Sequence, residues 1–196
     1  MHALIIVDLQ YDFLPDGALA VPFGDEIIEP INRIQSDYEL VVATQDWHPE
    51  GHLSFASAHK GRKPFETIDL KGLEQVLWPD HCIQTTRGAE LSNRLDTRRI
   101  EGVFRKGTTL EIDSYSGFFD NGRRRHTGLA GYLRGRAVST VSVCGLAADY
   151  CVYFTAMDAL EQGFDTYIVE DAVRPIDASA YAEKLAAFRH RGGKLR

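Results

Sequence analysis

The sequence predicts an α/β fold built on a mainly parallel sheet, and three observations carry this prediction. Short apolar runs rich in β-branched residues recur along the 196 residues, as expected of strands that are buried on both faces. Segments with helical periodicity lie between these runs. The two kinds of segment alternate, which is typical of strand–helix–strand units around a parallel sheet.

Five apolar runs are interpreted as strands. They are residues 4–7, 40–43, 103–104, 138–143 and 166–169. The run at 103–104 gives the weakest signal because it is so short. The tail at 193–195 either begins a final short strand or frays, and the sequence leaves both alternatives open.

Four segments are predicted to be helical. Residues 26–34 carry an isoleucine stripe with Pro30 near the first turn, where proline is tolerated. Residues 90–95 are a shorter candidate. Residues 147–161 give the clearest pattern, and Gly163 follows in the position of a C-cap glycine. Residues 178–189 are rich in strong helix formers and are expected to form the last helix.

Composition sets the broad class of protein. We expect one domain over residues 1–196, without a linker or repeat. The net charge of −6 gives no reason to expect a nucleic acid partner, and the basic cluster at 123–126 is too short to alter this. No apolar window is long enough for a membrane span, and no signal peptide is indicated. Three cysteines favour a reducing, cytoplasmic setting over a disulfide framework.

The segment from 45 to 80 lacks clear periodicity but contains many aromatic and histidine side chains. Long loops inside compact domains usually serve function or are disordered. The aromatic content argues against disorder. We therefore expect this segment to contribute to a functional site, together with a shorter insertion at 107–121.

Polar side chains follow the predicted strands at the points where they end. Asp8 ends the first strand, Asp46 the second and Lys106 the third, while Cys144 ends the fourth and Cys151 lies in the helix that follows. Ligands bind at the carboxyl ends of the strands in open α/β sheets. If the strands are parallel, these side chains gather at one edge.

Each cysteine has a structural and a chemical interpretation. Cys144 ends an apolar strand and Cys82 follows a polar loop, so both are expected to be unreactive thiols. Cys151 lies near a helix N-terminus, which stabilises a thiolate. Asp8 is its candidate base and Lys106 its candidate charge partner. The simpler interpretations are that Asp8 caps a turn and that Lys106 lies in a solvated turn.

A metal site is suggested by Asp46 and His48, which lie two residues apart and so project to the same side of an extended segment. His52 and His81 are the candidates for a third ligand. Two histidines and one carboxylate leave coordination positions open, as catalytic zinc and iron sites do. A surface Asp–His pair is the alternative interpretation.

Six blocks in order resemble the nicotinamidase/pyrazinamidase branch of the isochorismatase-like cysteine hydrolases. They are residues 3–13, 44–49, 78–82, 105–107, 115–118 and 144–152. The resemblance spans nearly the whole chain. It implies a three-layer α/β/α fold with a central, mainly parallel sheet, the isochorismatase-like hydrolase fold.

The resemblance also implies roles for particular residues. The catalytic triad would be Asp8, Lys106 and Cys151, and the metal ligands would be Asp46, His48 and His81. The backbone N–H groups of Ala147 and Cys151 would form the oxyanion hole. The aromatic residues around the substrate would be Phe13, Trp78 and Tyr115. It further implies a cis peptide bond between Leu146 and Ala147. A fourth metal contact from His52 or Ser54 stays open, because relatives differ there.

The implied activity is hydrolysis of nicotinamide to nicotinate and ammonia in NAD salvage, through a cysteine thioester, with pyrazinamide also accepted. One divalent metal is expected, with zinc favoured and iron or manganese as alternatives. A homo-oligomer is compatible with the family but not specified by the sequence. Two rival hypotheses are another amidohydrolase of the superfamily, of the N-carbamoyl type, and a catalytically silent scaffold. The intact triad argues against the scaffold.

Overall fold

A computed structural model describes all residues 1–196 and contains two β-sheets. The strands are β1 His2–Val7, β2 Leu40–Asp46, β3 Thr67–Leu70, β4 Leu73–Val76, β5 Ile100–Lys106, β6 Thr140–Gly145, β7 Asp165–Val173 and β8 Lys194–Leu195. Six of them form a parallel sheet in the order β5-β2-β1-β6-β7-β8, while β3 and β4 form a separate antiparallel hairpin. The predicted parallel sheet is confirmed.

Helices cover both faces of the large sheet. They are α1 Ile28–Ile34, α2 Leu129–Gly135, α3 Tyr153–Glu161 and α4 Ala178–His190. The isoleucines of α1 pack on one face, and the apolar side chains of α2, α3 and α4 contribute to the core on the other. The three-layer α/β/α architecture is thus confirmed.

The central strand β1 shows why the apolar runs lack polar alternation. Leu4 and Ile6 point towards the α1 layer, whereas Ala3, Ile5 and Val7 point towards the α2 and α3 layer. All five side chains are fully buried. A strand covered on both faces needs apolar residues at every position, so the run is continuous rather than alternating.

The strand order reverses between β1 and β6, which are adjacent although four strands separate them along the chain. From β1 the chain builds outward to β2 and β5, and β6 then returns to the other side of β1. A crevice opens at such a switch point beyond the carboxyl ends of the strands, where ligands bind in open α/β sheets. Asp8 and the turn after Gly145 border it.

The predicted helix at 90–95 is wrong. A single 3-10 turn at Arg87–Ala89 precedes this segment, and residues 90–95 form bends and turns. Their backbone instead runs beside the segment after β1, where Tyr11 N–H donates to Glu90 O at 3.2 Å and Ser92 N–H donates to Leu9 O at 2.9 Å. Tertiary backbone hydrogen bonds therefore replace the helical ones that the apolar spacing predicted.

Two elements were not predicted from the sequence. The hairpin β3–β4 lies within the aperiodic segment 45–80, and its two-residue turn places Lys71 and Gly72 at φ values of 55° and 82°. Two consecutive positive φ values belong to the tight turns that suit hairpins, but Lys-Gly is a weak signal for them. Helix α2 is the other omission, since its Gly131 and Gly135 dilute the helical pattern.

The remaining predicted helices and the tail are close to expectation. The helix predicted at 147–161 begins as a π-helical turn, Ala148–Val152, and continues as α3, with Gly163 at φ 86° just beyond it. The tail pairs as β8 with Tyr167 and Ile168 of β7, so the last strand forms. No helix is long and apolar enough to cross a membrane.

Candidate active site

Four buried polar side chains meet where the parallel strands end. Asp8 follows β1, Asp46 is the last residue of β2, Lys106 is the last residue of β5, and Cys151 lies in the π-helical turn after β6. Their exposed fractions lie between 0% and 7%. Charged groups are rarely buried this deeply unless they are paired, so the contacts among them decide what the cluster can do.

Lys106 is the centre of this cluster. Its Nζ atom lies 2.8 Å from Asp8 Oδ2, 2.9 Å from Asp46 Oδ1 and 3.3 Å from Cys151 Sγ, and it also donates to the carbonyl of Ser114 at 2.9 Å. Burial alone would lower the pKa of this amine, but the carboxylates of Asp46 and Asp8 raise it well above its ordinary value. Lys106 is therefore a fixed cation.

Asp8 is held in an uncommon backbone conformation, with φ at 47°. Left-handed backbone is tolerated by aspartate better than by most residues and tends to occur at functional sites. Thr44 Oγ1 donates to Asp8 Oδ1 at 2.6 Å. Burial raises the pKa of the Asp8 carboxyl, although the ammonium of Lys106 opposes this. A carboxyl with a raised pKa can both accept and return a proton near neutral pH.

The turn that carries Cys151 is anchored by backbone and carboxylate contacts. Asp149 accepts hydrogen bonds from the backbone N–H groups of Ile176 and Asp177 at 2.9 and 3.0 Å, and Ala148 N–H donates to Arg174 O at 2.8 Å. These bonds fix the turn to the segment after β7. They hold the Cys151 thiol next to the lysine and the two carboxylates.

Burial raises the pKa of the Cys151 thiol well above its ordinary value, while the nearby Lys106 cation opposes the shift. The thiol therefore needs a base to become a nucleophile. Atoms of Asp8, Asp46 and Cys151 lie within 4.8 Å of one another, so a carboxylate base is close by. The other two thiols differ: Cys144 and Cys82 are fully buried in the core and contact backbone carbonyls.

The three predicted metal ligands converge on one point. Ligand atoms of Asp46, His48 and His81 lie within 4.8 Å of one another, and all three residues are buried. The Nδ1 atoms of His48 and His81 lie 3.1 and 2.8 Å from the carbonyls of Gly107 and Pro79. Each Nδ1–H donates to its carbonyl, which leaves the lone pair on Nε2.

These lone pairs face the same carboxylate. His48 Nε2 lies 3.2 Å and His81 Nε2 3.6 Å from Asp46 Oδ2, and the buried His48 Nε2 has no hydrogen-bond partner. Lone pairs turned towards a carboxylate oxygen repel one another unless a cation lies between them. The donor set of two imidazoles and one carboxylate therefore fits a divalent transition metal.

His52 and Ser54, left open as a further metal contact, lie beside the site but are occupied by other bonds. His52 Nδ1 accepts from the backbone N–H of Ser54 at 3.1 Å and lies 2.8 Å from its hydroxyl, and Nε2 lies 2.9 Å from Thr109 O. Neither ring nitrogen has a free lone pair directed at the other ligands. His81 rather than His52 thus completes the set with Asp46 and His48.

A narrow cavity opens onto Cys151 and onto two of the predicted metal ligands, Asp46 and His81. Eleven residues line it, eight of them hydrophobic, namely Phe13, Leu19, Asp46, Trp78, His81, Asp113, Tyr115, Ala147, Tyr150, Cys151 and Ile176. The predicted substrate aromatics Phe13, Trp78 and Tyr115 are all present in this lining. The cavity suits a flat, mostly apolar ring that carries a few polar atoms.

The floor of the cavity beside Cys151 is formed by Ala147. The peptide bond between Leu146 and Ala147 is cis, as the family resemblance implied. The backbone N–H of Ala147 takes part in none of the protein's backbone hydrogen bonds. A free donor next to a nucleophile can bind the oxygen of a substrate carbonyl.

Sequence reasoning missed three residues that shape the site. Gln10 holds the metal segment by donating to Asp46 O at 2.8 Å and accepting from Asp46 N at 2.8 Å. Asp113 and Tyr150 line the cavity. Gln10 lies two residues after Asp8 and Tyr150 directly before Cys151, so proximity to the predicted catalytic residues was an available signal. Asp113 lies in the insertion at 107–121, which was expected to contribute to the site, but no pattern there singled out this residue.

Comparisons with known proteins agree with this geometry. The sequence model of the isochorismatase domain matches residues 2–196. A nicotinamidase of Acinetobacter baylyi is 47% identical over 190 residues, which cover 94% of this chain and 89% of the relative. The structure of an Acinetobacter baumanii nicotinamidase/pyrazinamidase superposes with a TM-score of 0.96 at 45% identity, covering 99% of this chain and 94% of that one. A Pyrococcus horikoshii pyrazinamidase in complex with zinc superposes with a TM-score of 0.82 at 39% identity, covering 100% and 98%.

Proposed function

The chain belongs to the isochorismatase family, and on that premise we propose that it hydrolyses nicotinamide to nicotinate and ammonia. The enzyme is an amidohydrolase that acts on a linear carboxamide, and the high identity to nicotinamidases supports this substrate. The single observation that carries the proposal is the Lys106 ammonium, which lies in contact with Cys151, Asp8 and Asp46 at once. A thiol, a carboxylate base and a metal ligand therefore all contact one ammonium group.

The reaction begins with the thiol of Cys151. Asp8 takes the thiol proton, and the Lys106 cation at 3.3 Å stabilises the resulting thiolate. The sulfur then attacks the carboxamide carbon, and the backbone N–H groups of Ala147 and Cys151 bind the oxygen that becomes negative. Asp8 returns its proton to the leaving nitrogen, so that ammonia departs and a thioester remains on Cys151.

Water completes the cycle. Asp8, again a carboxylate, removes a proton from a water molecule that attacks the thioester carbon. The carbon–sulfur bond breaks, nicotinate forms, and the proton held by Asp8 restores the thiol of Cys151. Lys106 keeps Asp8 oriented through both halves of the reaction, because the 2.8 Å ion pair between Lys106 and Asp8 holds the base beside the sulfur of Cys151.

A divalent metal held by Asp46, His48 and His81 would supply a Lewis acid for the lone pair of a pyridine or pyrazine nitrogen. Zinc is the ion we propose, and the zinc complex of the Pyrococcus horikoshii relative supports it. Around the ring, the side chains of Phe13, Trp78 and Tyr115 exclude water and restrict its orientation. Pyrazinamide, which also carries a ring nitrogen, is accepted by the same arrangement.

An N-carbamoyl amide hydrolase activity is not favoured, because relatives at 47% identity are nicotinamidases. The proposal is tested by ammonia release from nicotinamide, with the wild type beside Cys151→Ala and His48→Ala. We expect turnover by the wild type, none by Cys151→Ala, and a large loss for His48→Ala or after chelation. Absence of ammonia release by metal-loaded wild type would overturn the proposal.

A further inference from the structure

Gln75 is a buried polar residue outside the catalytic and metal sets. It lies on β4 of the hairpin, and only 2% of it is exposed. Its Nε2 atom lies 2.9 Å from Tyr115 Oη, 3.3 Å from Asp113 Oδ2 and 2.8 Å from the carbonyl of Val76. The first two partners line the catalytic cavity, whereas Gln75 itself does not. Gln75 therefore connects the hairpin to two residues that line the substrate cavity, Tyr115 and Asp113.

Tyr115 forms a wall between two cavities. Its side chain lines the catalytic cavity and also a second, larger cavity beside α3. The second cavity has a volume of about 450 Å³, whereas the catalytic cavity is much narrower at about 20 Å³. Tyr115 is the only residue common to the two linings. Tyr115 is the wall that has free space behind it.

The ring of Tyr115 is held from three sides by aromatic contacts. Ring centroids lie 5.4 Å from Tyr150, 5.4 Å from Phe154 and 6.2 Å from Trp78. Such contacts allow sliding and tilting, because they are weakly directional. The hydrogen bond from Gln75 to the hydroxyl is directional and partly buried, and it restrains the far end of the side chain.

We propose that Gln75 is a positioning residue for substrate binding, which acts by holding Tyr115 against the substrate ring. The inference rests on the proposed nicotinamide hydrolysis, and it adds Gln75 as the residue that fixes the position of Tyr115 in the cavity wall. Without the amide, the hydroxyl of Tyr115 loses its hydrogen bond from Gln75, and the ring can tilt towards the second cavity. Binding of the substrate then weakens, while the chemistry at Cys151 is unchanged.

The test is a double-mutant cycle with Gln75→Met and Tyr115→Phe. Methionine keeps the length of the side chain but cannot donate, and phenylalanine removes only the hydroxyl. We expect each single variant to raise KM for nicotinamide about tenfold, the size expected for one lost hydrogen bond, with kcat within about twofold. The double variant should be no worse than either single one, because both remove the same bond.

Gln35→Met is the matched control. Gln35 is equally buried and donates through Nε2 to Asp96 O at 2.9 Å, far from the cavity. The Gln35→Met variant should lower the melting temperature as Gln75→Met does, yet leave KM for nicotinamide unchanged. Iodoacetamide labelling of Cys151 in each variant reports whether the catalytic residues stay in place.

Each outcome has one meaning. An unchanged KM in Gln75→Met, additive effects in the double variant, or a loss confined to kcat would overturn the role of Gln75 while leaving nicotinamide hydrolysis intact. Wild type that fails to hydrolyse nicotinamide would overturn both, and it would be recognised before any variant is compared.

Discussion

The Nζ atom of Lys106 lies 3.3 Å from the Sγ atom of Cys151. The same ammonium contacts the carboxylates of Asp8 and Asp46, so a single cation is shared by the proposed nucleophile, the proposed base and a proposed metal ligand. Burial alone would raise the pKa of Asp46, but the neighbouring His48 imidazole and Lys106 ammonium hold it well below its ordinary value. With the proposed roles, chemistry at the sulfur and ligation of the metal would be electrostatically coupled.

Replacing Lys106 by methionine should remove this coupling. We expect kcat for nicotinamide to fall on the order of 10³-fold, because the thiolate and Asp8 lose their charge partner. Stability should also fall by about 3–5 kcal/mol, since the change leaves buried carboxylates unpaired. Steady-state kinetics and denaturant unfolding measure the two effects. Lys194→Met, which breaks an exposed ion pair with Asp165, is the control; a comparable kcat in both variants would contradict the account.

Alkylation should distinguish the three cysteines. Cys151 is 7% exposed and opens onto the cavity, whereas Cys82 and Cys144 are fully buried. We expect iodoacetamide to label Cys151 alone in the folded protein, and nicotinamide to protect it. Peptide mass spectrometry locates the label. Equal labelling of Cys144 or Cys82, or labelling of Cys151 that is insensitive to substrate, would argue against this arrangement.

The pH dependence of kcat/KM should report Asp8. The base must be a carboxylate, and burial raises the pKa of Asp8. Activity should therefore decline on acidification at a pH above the ordinary aspartate pKa of about 3.9. The profile is measured at saturating metal, so that loss of the metal does not set the acid limb. An acid limb at or below the ordinary value would contradict the assignment of Asp8 as base.

Gly107→Ala should weaken the metal site. Gly107 has φ at 65°, and a Cβ atom there would lie 2.5 Å from His48 Cε1 and 2.7 Å from Nδ1. The imidazole would have to move, so we expect metal affinity to fall about 10- to 100-fold, as when ligand support is lost. Competition with a metal chelator measures it. Gly61→Ala is the matched control. Gly61 also has a positive φ of 80°, but no atom lies within 4 Å of the place that a Cβ would occupy. Equal losses of metal affinity in both variants would refute the steric explanation.

The sequence predicted the parallel sheet, and it predicted that the residues of the proposed triad would lie close together, for physical reasons that particular elements show. The run from Leu4 to Val7 is apolar at every position because both faces are covered, and that pattern is legible without coordinates. Asp8, Asp46 and Lys106 could then be expected at one edge, since parallel strands end together. The six family blocks added the assignment of His81 over His52.

Other features depend on contacts distant in sequence, which no local pattern reveals. Residues 90–95 have helical spacing but bond to the segment after β1, and the hairpin β3–β4 turns at a Lys-Gly pair with little turn signal. Gln75 is one glutamine among several until the fold places it 2.9 Å from the Tyr115 hydroxyl. Its position could not be inferred without the hairpin that carries it.

The most direct test of the account is to trap the covalent intermediate. Metal-loaded protein is mixed with nicotinamide, quenched in acid within one turnover, and examined by peptide mass spectrometry. The account predicts a nicotinoyl group on the peptide that contains Cys151, absent when Cys151→Ala is treated in the same way. A nicotinoyl group on another residue, or ammonia release that survives in Cys151→Ala, would contradict it.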